Sequence, residues 1–145
     1  MPPMTQPTIT PDTPVPQTPT RLLRLAMVDE VEALRFGWNY GISKIPGTEV
    51  VLMVAMGSEL LQALRAGLLV DVVFVRLHAR HTAADALVKA LADQFPAVRT
   101  MIGLEEREEA LAERAKAVGG TWIVPLADIN QERLVSLVAE MRAVI

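Results

Sequence analysis

Val70-Asp71-Val72-Val73-Phe74-Val75-Arg76-Leu77 is the stretch whose reading decides the fold. It is a short apolar run, rich in β-branched residues, that closes on a charge. Continuous apolarity over about six to eight residues predicts a strand buried on both faces, as in a parallel sheet with helices on either side. Open sheets of that kind keep their sites at the carboxyl ends of the strands. The residue that this strand presents there is Arg76.

Upstream, Leu22 to Val28 reads as a buried strand that ends at Asp29-Glu30. Helical spacing follows from about Val31 to Ser43, with Val31, Leu34, Trp38 and Ile42 on one face and Phe36 flanking. Pro46-Gly47 breaks the chain, and Val50 to Ala55 is a second strand. Ser58 is placed to cap a helix with Leu60, Leu61, Leu64 and Leu68 on one face. Downstream of the strand at 70–77 come a polar turn and Thr82, which is placed to cap a helix carrying Ala83, Leu87, Ala90 and Leu91. Val98 to Leu104 is a fourth strand. The helix from Glu105 to Val118 has acids in its first turn and Arg114 and Lys116 near its end, matching the helix dipole. Gly119-Gly120 is a stop signal. A short strand at Trp122 to Leu126 and a final helix starting at Asp128 or Asn130, with Leu134, Val135, Leu137, Val138 and Met141 inward, complete the chain.

Five strands alternating with five helices argue an α/β domain with a parallel sheet covered on both faces. Right-handed crossovers limit the strand orders. The flavodoxin-like, doubly wound (βα)5 order 2-1-3-4-5 is the expected solution. Residues 21–145 form this domain, long enough to bury a sizeable core. Residues 1–20 hold seven of the ten prolines, with many threonines and neither Lys nor Arg. Such a segment buries too little to offset its ordering entropy, so a disordered, partly polyproline II arm or tether is expected.

Composition narrows the function. Half of the chain is apolar, 21% is charged and the net charge is −3. There is no basic excess to hold phosphates, so direct nucleic-acid binding is not expected. With no cysteine, disulfides, thiolate metal sites and Cys nucleophiles are excluded. No apolar run approaches a membrane span, and no signal peptide is recognisable at the N-terminus. A cytoplasmic protein is expected. There is no Gly-rich phosphate loop, no Ser-His-Asp spacing that suggests a hydrolase, and no inward pair of carboxylates beyond Asp29-Glu30.

The stretch Leu25-Ala26-Met27-Val28-Asp29-Glu30-Val31-Glu32-Ala33-Leu34-Arg35 resembles the first strand and acidic turn of response-regulator receiver domains, the CheY-like superfamily. It is closest to receivers that precede helix-turn-helix output domains, where an arginine follows the acidic pair five residues on. Glu49-Val50-Val51 and Gly57-Ser58-Glu59-Leu60-Leu61 resemble their second strand and the opening of helix two. Val70-Asp71-Val72-Val73-Phe74-Val75 resembles the strand before their phosphoacceptor. The spacing holds almost without gaps over residues 21–145.

The family's chemistry needs two acids for Mg²⁺, an attacking Asp on strand three, a Thr or Ser on strand four and a Lys on strand five. Carried over by position, the resemblance implies that the acids are Asp29 and Glu30 and that the phosphoacceptor position is Arg76. The hydroxyl position is Gly103, and the lysine position is Val124 or Pro125, depending on a one-residue gap. Nucleophile, hydroxyl and lysine are therefore all missing, and with the latter two the groups that stabilise transferred charge. Arginine is always cationic and long enough to reach the acidic turn. It is expected to pair with Asp29 and Glu30 in the space a divalent cation would need. The implied protein is an atypical pseudo-receiver: no enzyme, with no metal, no other cofactor and no phosphorylation.

Blander readings stand beside these. Arg76 at a strand tip is also able to seek solvent, and Asp29 and Glu30 to serve the helix dipole alone. His78 and His81 lack a third ligand and read as surface residues. Trp122, at the family's switch-aromatic position, reads as a packed or half-exposed side chain, and the acidic run at 105–113 as a solvated helix face. The expected function is a stand-alone, phosphorylation-independent protein-interaction module in signal transduction, with output through a protein partner or a homodimer. The face of helix four, strand five and helix five, with Glu105, Glu109, Trp122 and Arg133, is the expected contact surface. The alternatives are a scaffold or localisation adaptor, as for atypical receivers attached to ParA/MinD-like ATPases, and, ranked last, a flavodoxin-like ligand binder.

Overall fold

The computed structural model describes residues 21–77, 83–105 and 109–145. The expected arm at 1–20, the His78/His81 pair and the Thr82 cap lie outside the described residues. The elements run β1 (Leu23–Val28), α1 (Glu32–Ser43), β2 (Thr48–Val54), α2 (Gly57–Arg65), β3 (Val72–Leu77), α3 (Ala83–Gln94), β4 (Arg99–Leu104), α4 (Glu109–Val118), β5 (Trp122–Pro125) and α5 (Gln131–Val144). All strand pairs are parallel, in the order β2-β1-β3-β4-β5. This is the expected flavodoxin-like α/β fold.

Strand periodicity divides the core in two. Val73, Val75 and Leu77 of β3 pack with Leu60, Leu87, Leu91 and Leu111 of α2, α3 and α4. Val72 and Phe74 point the other way, toward Ile42 of α1 and Leu134, Leu137 and Met141 of α5. Trp38 of α1 stacks on Phe74 with ring centroids 5.3 Å apart. Each fully buried Leu or Phe of these layers contributes about 1.5–3 kcal/mol. Both faces of β3 are therefore apolar because both are covered, which is why its sequence does not alternate.

Helix signals needed tertiary correction at several points. Met56, not Ser58, occupies the N-cap of α2, with extended backbone and no side-chain cap. Ser58 lies within the first turn because the helix begins at Gly57, two residues earlier than its capping chemistry suggests. For α5 the cap is Asn130, whose side chain accepts from the Arg133 N–H at 2.8 Å. Val135, expected inward, is exposed, since four other positions already fill the inner stripe of α5. Val31 and Leu34 are also exposed, and only the C-terminal half of α1 is buried under α5, where Gly41 meets Leu134. Gly119 has φ +101° and ends α4 as expected. Arg114 pairs with Asp85 of α3 at 2.8 Å, so it ties two helices together as well as sitting near the negative end of its own.

Candidate functional site

The carboxyl ends of β1, β3, β4 and β5 converge on Arg76, and the strand register explains how. Val28 pairs with Val75, so the next rung brings Asp29 to Arg76. Arg76 pairs in turn with Gly103, and Gly103 with Val124. Pro125 stands one rung further on, beside Leu104. One row across the sheet therefore reads Asp29, Arg76, Gly103, Val124.

Parity selects which acid of the turn meets the arginine. Leu23, Leu25 and Met27 face the α1/α5 layer, as do Val72 and Phe74. Continuing both alternations puts Asp29 and Arg76 on that same face. Arg76 Nε donates to Asp29 Oδ2 and its Nη2 to Oδ1, each at 3.0 Å. This is a two-pronged guanidinium–carboxylate fork, the strongest geometry available to such a pair. Asp29 Oδ1 also accepts from the Val31 N–H at 2.9 Å, and the Asp29 carbonyl accepts from Arg35 Nη1. The carboxylate thus spends three of about four acceptor positions inside the protein. The two side chains are only 6% and 11% exposed.

Glu30 does not join this pair. It is exposed, and among the described residues no ion pair links it to Arg76. Its parity is opposite to that of Asp29, which is the physical reason. The second acid near Arg76 is Glu105, whose Oε1 lies 3.5 Å from Nη1. Glu105 was expected on the outer contact face; here it stands at the rim of the strand-end row. No group of three or more His, Asp or Glu among the described residues is placed to hold a metal ion.

The space beside Arg76 on the α1/α5 side is closed by a residue that sequence reasoning missed. Leu126 follows β5 in a short 3-10 turn, Leu126–Asp128. A Cβ added to Gly103 would lie 2.6 Å from Leu126 Cδ2, closer than any real contact. Between Trp38, Phe74, Arg76, Met101, Gly103 and Leu126 there remain about 10 Å³, room for one water at most. No local signal marks Leu126; in the sequence it reads as the last residue of a strand, and only the register of β4 against β5 sets it over Gly103. On the side of α2 and α3 a cleft of about 210 Å³ opens beside the ion pair itself, lined by Asp29 and Arg76 together with Glu30, Met56, Ala84 and Leu87.

Of the expected contact face, Glu109 is exposed and Trp122 is half-buried against the α1/α5 core. Arg133 is partly committed to its own helix, with Nη1 3.3 Å from Ser136 Oγ and 3.4 Å from Glu140. Among the described residues, no large hydrophobic of α4 or β5 is exposed. No helix of the described residues is long and apolar enough to cross a membrane.

The chain matches no protein-family model and no curated protein. Its fold, however, has many solved counterparts. The receiver domain of the response regulator NarL from Mycobacterium tuberculosis superimposes with a TM-score of 0.74 at 18% identity, over 86% of this chain and 98% of that one. A LuxR-family two-component response regulator from Aurantimonas sp. gives 0.73 at 22% identity, over 84% and 86%. The isolated REC domain of RcsB from Salmonella enterica serovar Typhimurium, solved with the phosphomimetic BeF3-, gives 0.70 at 14% identity, over 83% and 90%. The molecule has the fold of response-regulator receiver domains.

Proposed function

We propose that this chain is a receiver-like signalling module in which a fixed ion pair replaces phosphotransfer, and that it acts by binding a protein partner. The observation that carries this reading is the buried fork between Arg76 and Asp29. In a receiver the tip of β3 would hold the aspartate that takes the phosphoryl group. A guanidinium there is no nucleophile at any accessible pH. It also occupies the acceptor positions of Asp29, the one buried acid among the described residues, so the residues present do not suit Mg²⁺, which demands near-octahedral oxygen ligation.

The rest of the row favours the same conclusion. Gly103 supplies no hydroxyl, and Leu126 fills the volume a hydroxyl side chain would need. The register aligns Val124 rather than Pro125 with Gly103, so an apolar residue stands where a lysine would balance charge. The protein is on this reading not an enzyme. Its output surface is the polar face of α4, β5 and α5, with Glu109 exposed on it and a soluble protein as the partner. Incubation with acetyl phosphate and Mg²⁺, followed by intact-mass measurement, tests the reading: an unchanged mass is expected, and a stable phosphoryl adduct would overturn it.

The scaffold or localisation alternative rests on the Pro/Thr-rich residues 1–20 acting as a tether. Capture of a partner by the full chain but not by one lacking residues 1–20 would favour the tether. Equal capture favours the face on the folded domain. A ligand-binding role has one observation in its favour, the cleft of about 210 Å³ at the switch point between β1 and β3.

A further inference from the structure

The cleft on the α2/α3 side of the strand ends joins an apolar wall to a charged rim. Val28 and Val75 line it from the sheet, Ala84 and Leu87 from α3, and Met56 and Gly57 from the start of α2. A Cβ added to Gly57 would lie 3.0 Å from Leu87 Cδ1, so the two helices meet there and wall the cleft. Met56 is 62% exposed, an unbranched thioether that adapts its shape to an apolar neighbour. A dry apolar cavity of about 150 Å³ holds a benzene ring. At about 210 Å³ this cleft has room for a ring with a short chain.

The charges around it do not cancel. Arg76 is committed to Asp29, with both bonds at 3.0 Å, and Arg114 to Asp85 in the first turn of α3, at 2.8 Å. Arg35, on the α1 side, is matched in charge by Glu32 one turn before it. Glu30 at the rim and Glu59 in the first turn of α2 are both exposed, and among the described residues neither carboxylate has an ion pair or a hydrogen bond. Glu59 also offsets the positive pole at the start of α2. Two carboxylates are therefore left over beside an apolar wall.

We infer that this cleft is a binding site for a small amphipathic organic cation, with its apolar body against Met56, Ala84 and Leu87 and its ammonium group at Glu30. The body displaces water from the wall in proportion to the area it covers. The ammonium group gains a charge-assisted hydrogen bond to the Glu30 carboxylate. Asp29, on the same rim, keeps about one acceptor position that the protein does not fill. An anion meets the opposite situation, since Arg76 is already committed and Glu30 repels it. The site therefore selects against phosphate-like ligands and in favour of amines. This inference deepens the ligand-binding role named above and takes from the proposed function only that the Arg76–Asp29 fork is fixed. Binding and phosphotransfer are measured separately, so failure of one leaves the other standing.

Titration of the isotope-labelled full chain with phenethylamine, phenethyl alcohol and phenylacetate, followed through the backbone amide resonances, tests the assignment. The three probes share one ring and differ in the charge of the head group. With the amine, saturable shifts in the millimolar range or below are expected at Glu30, Met56, Gly57 and Ala84. The alcohol is expected to bind several-fold more weakly, because it lacks the charge that meets Glu30, and phenylacetate more weakly still. Glu30→Gln is expected to bring the amine down to the level of the alcohol and to leave the alcohol unchanged. Ala84→Phe, which fills the cleft, is expected to abolish binding of all three, and Met56→Ala, at an exposed position, to weaken all three alike. Thermal unfolding of each variant, unchanged within a few degrees, shows that the fold is intact. Shifts that do not saturate, or that lie away from the cleft, overturn the proposal. So does phenylacetate binding as well as the amine, or a preference for the amine that survives Glu30→Gln.

Discussion

Strand β3 is bracketed by two arginine–aspartate pairs of the same chemistry and opposite polarity. At its entrance Asp71 accepts from Arg21 Nη1 and Nη2 at 3.2 and 2.8 Å and from the Arg24 N–H at 2.8 Å. At its exit Arg76 donates twice to Asp29, which also accepts the Val31 N–H. Each pair stitches β3 to β1 with a fork; the Arg24 amide adds a second link at the entrance, whereas the Val31 amide only closes the turn after Asp29. They differ in burial: the Arg21 side chain is 54% exposed and that of Arg76 only 11%. An exposed pair gives back little, because water screens it and two long side chains must be ordered. A buried pair does not gain much over apolar packing either, but it is costly to break, since the survivor is left as an uncompensated charge. The entrance pair is thus a clasp, and the exit pair commits the carboxyl end of the sheet to one arrangement.

That contrast can be broken most directly at Arg76. Arg76→Ala is expected to lose about 3 kcal/mol or more of unfolding free energy in urea titration at neutral pH. A loss as small as that expected at the entrance would mean that burial does not separate the two pairs. A smaller effect is expected next door, at Gly103→Ser, where the new Cβ runs into Leu126. Overpacking of this kind costs about 1–3 kcal/mol. The double variant Gly103→Ser with Leu126→Ala is expected to be less destabilised than the sum of its parts, because the contact at fault is gone. Arg21→Ala is expected to cost about 1 kcal/mol or less, and raising salt should shrink even that.

The smallest effect sharpens the description of α1 rather than of β3. The Lys44 ammonium beside Tyr40 holds the phenol below the ordinary tyrosine value, through a hydrogen bond to it first and its charge second. Because the cation favours the phenolate, Lys44→Met should move the titration upward toward the ordinary value. Tyr40 is the single tyrosine of the chain, so phenolate absorbance reads this group alone.

The alternation of apolar runs with helical spacing was legible throughout, and so was the strand order, because short crossovers of one hand leave few alternatives. Arg76 at the tip of β3 was equally legible, since it is the one charged residue between Val72 and Leu77. The choice of its partner was not. Asp29 and Glu30 are neighbours with the same charge, and both were expected to pair. Only the rung above Val28–Val75 and the parity of β1 give Asp29 the fork and leave Glu30 to solvent. Val124 and Pro125 were likewise undivided until the β4–β5 register set Val124 beside Gly103.

Two further features had no local signal. Glu105 reads as the first acid of a helix, yet it reaches Arg76 because β4 ends beside β3. Leu126 reads as the end of a strand, yet it closes the site because the chain turns there into a 3-10 turn.

By itself, then, the amino-acid sequence determined the layered architecture and the residue types at the strand ends, since periodicity and composition act locally along the chain. Tertiary structure alone decided which of those residues touch. Contact across a sheet depends on register and parity between strands that are distant in sequence, and a one-residue slip would have exchanged every partner in the row.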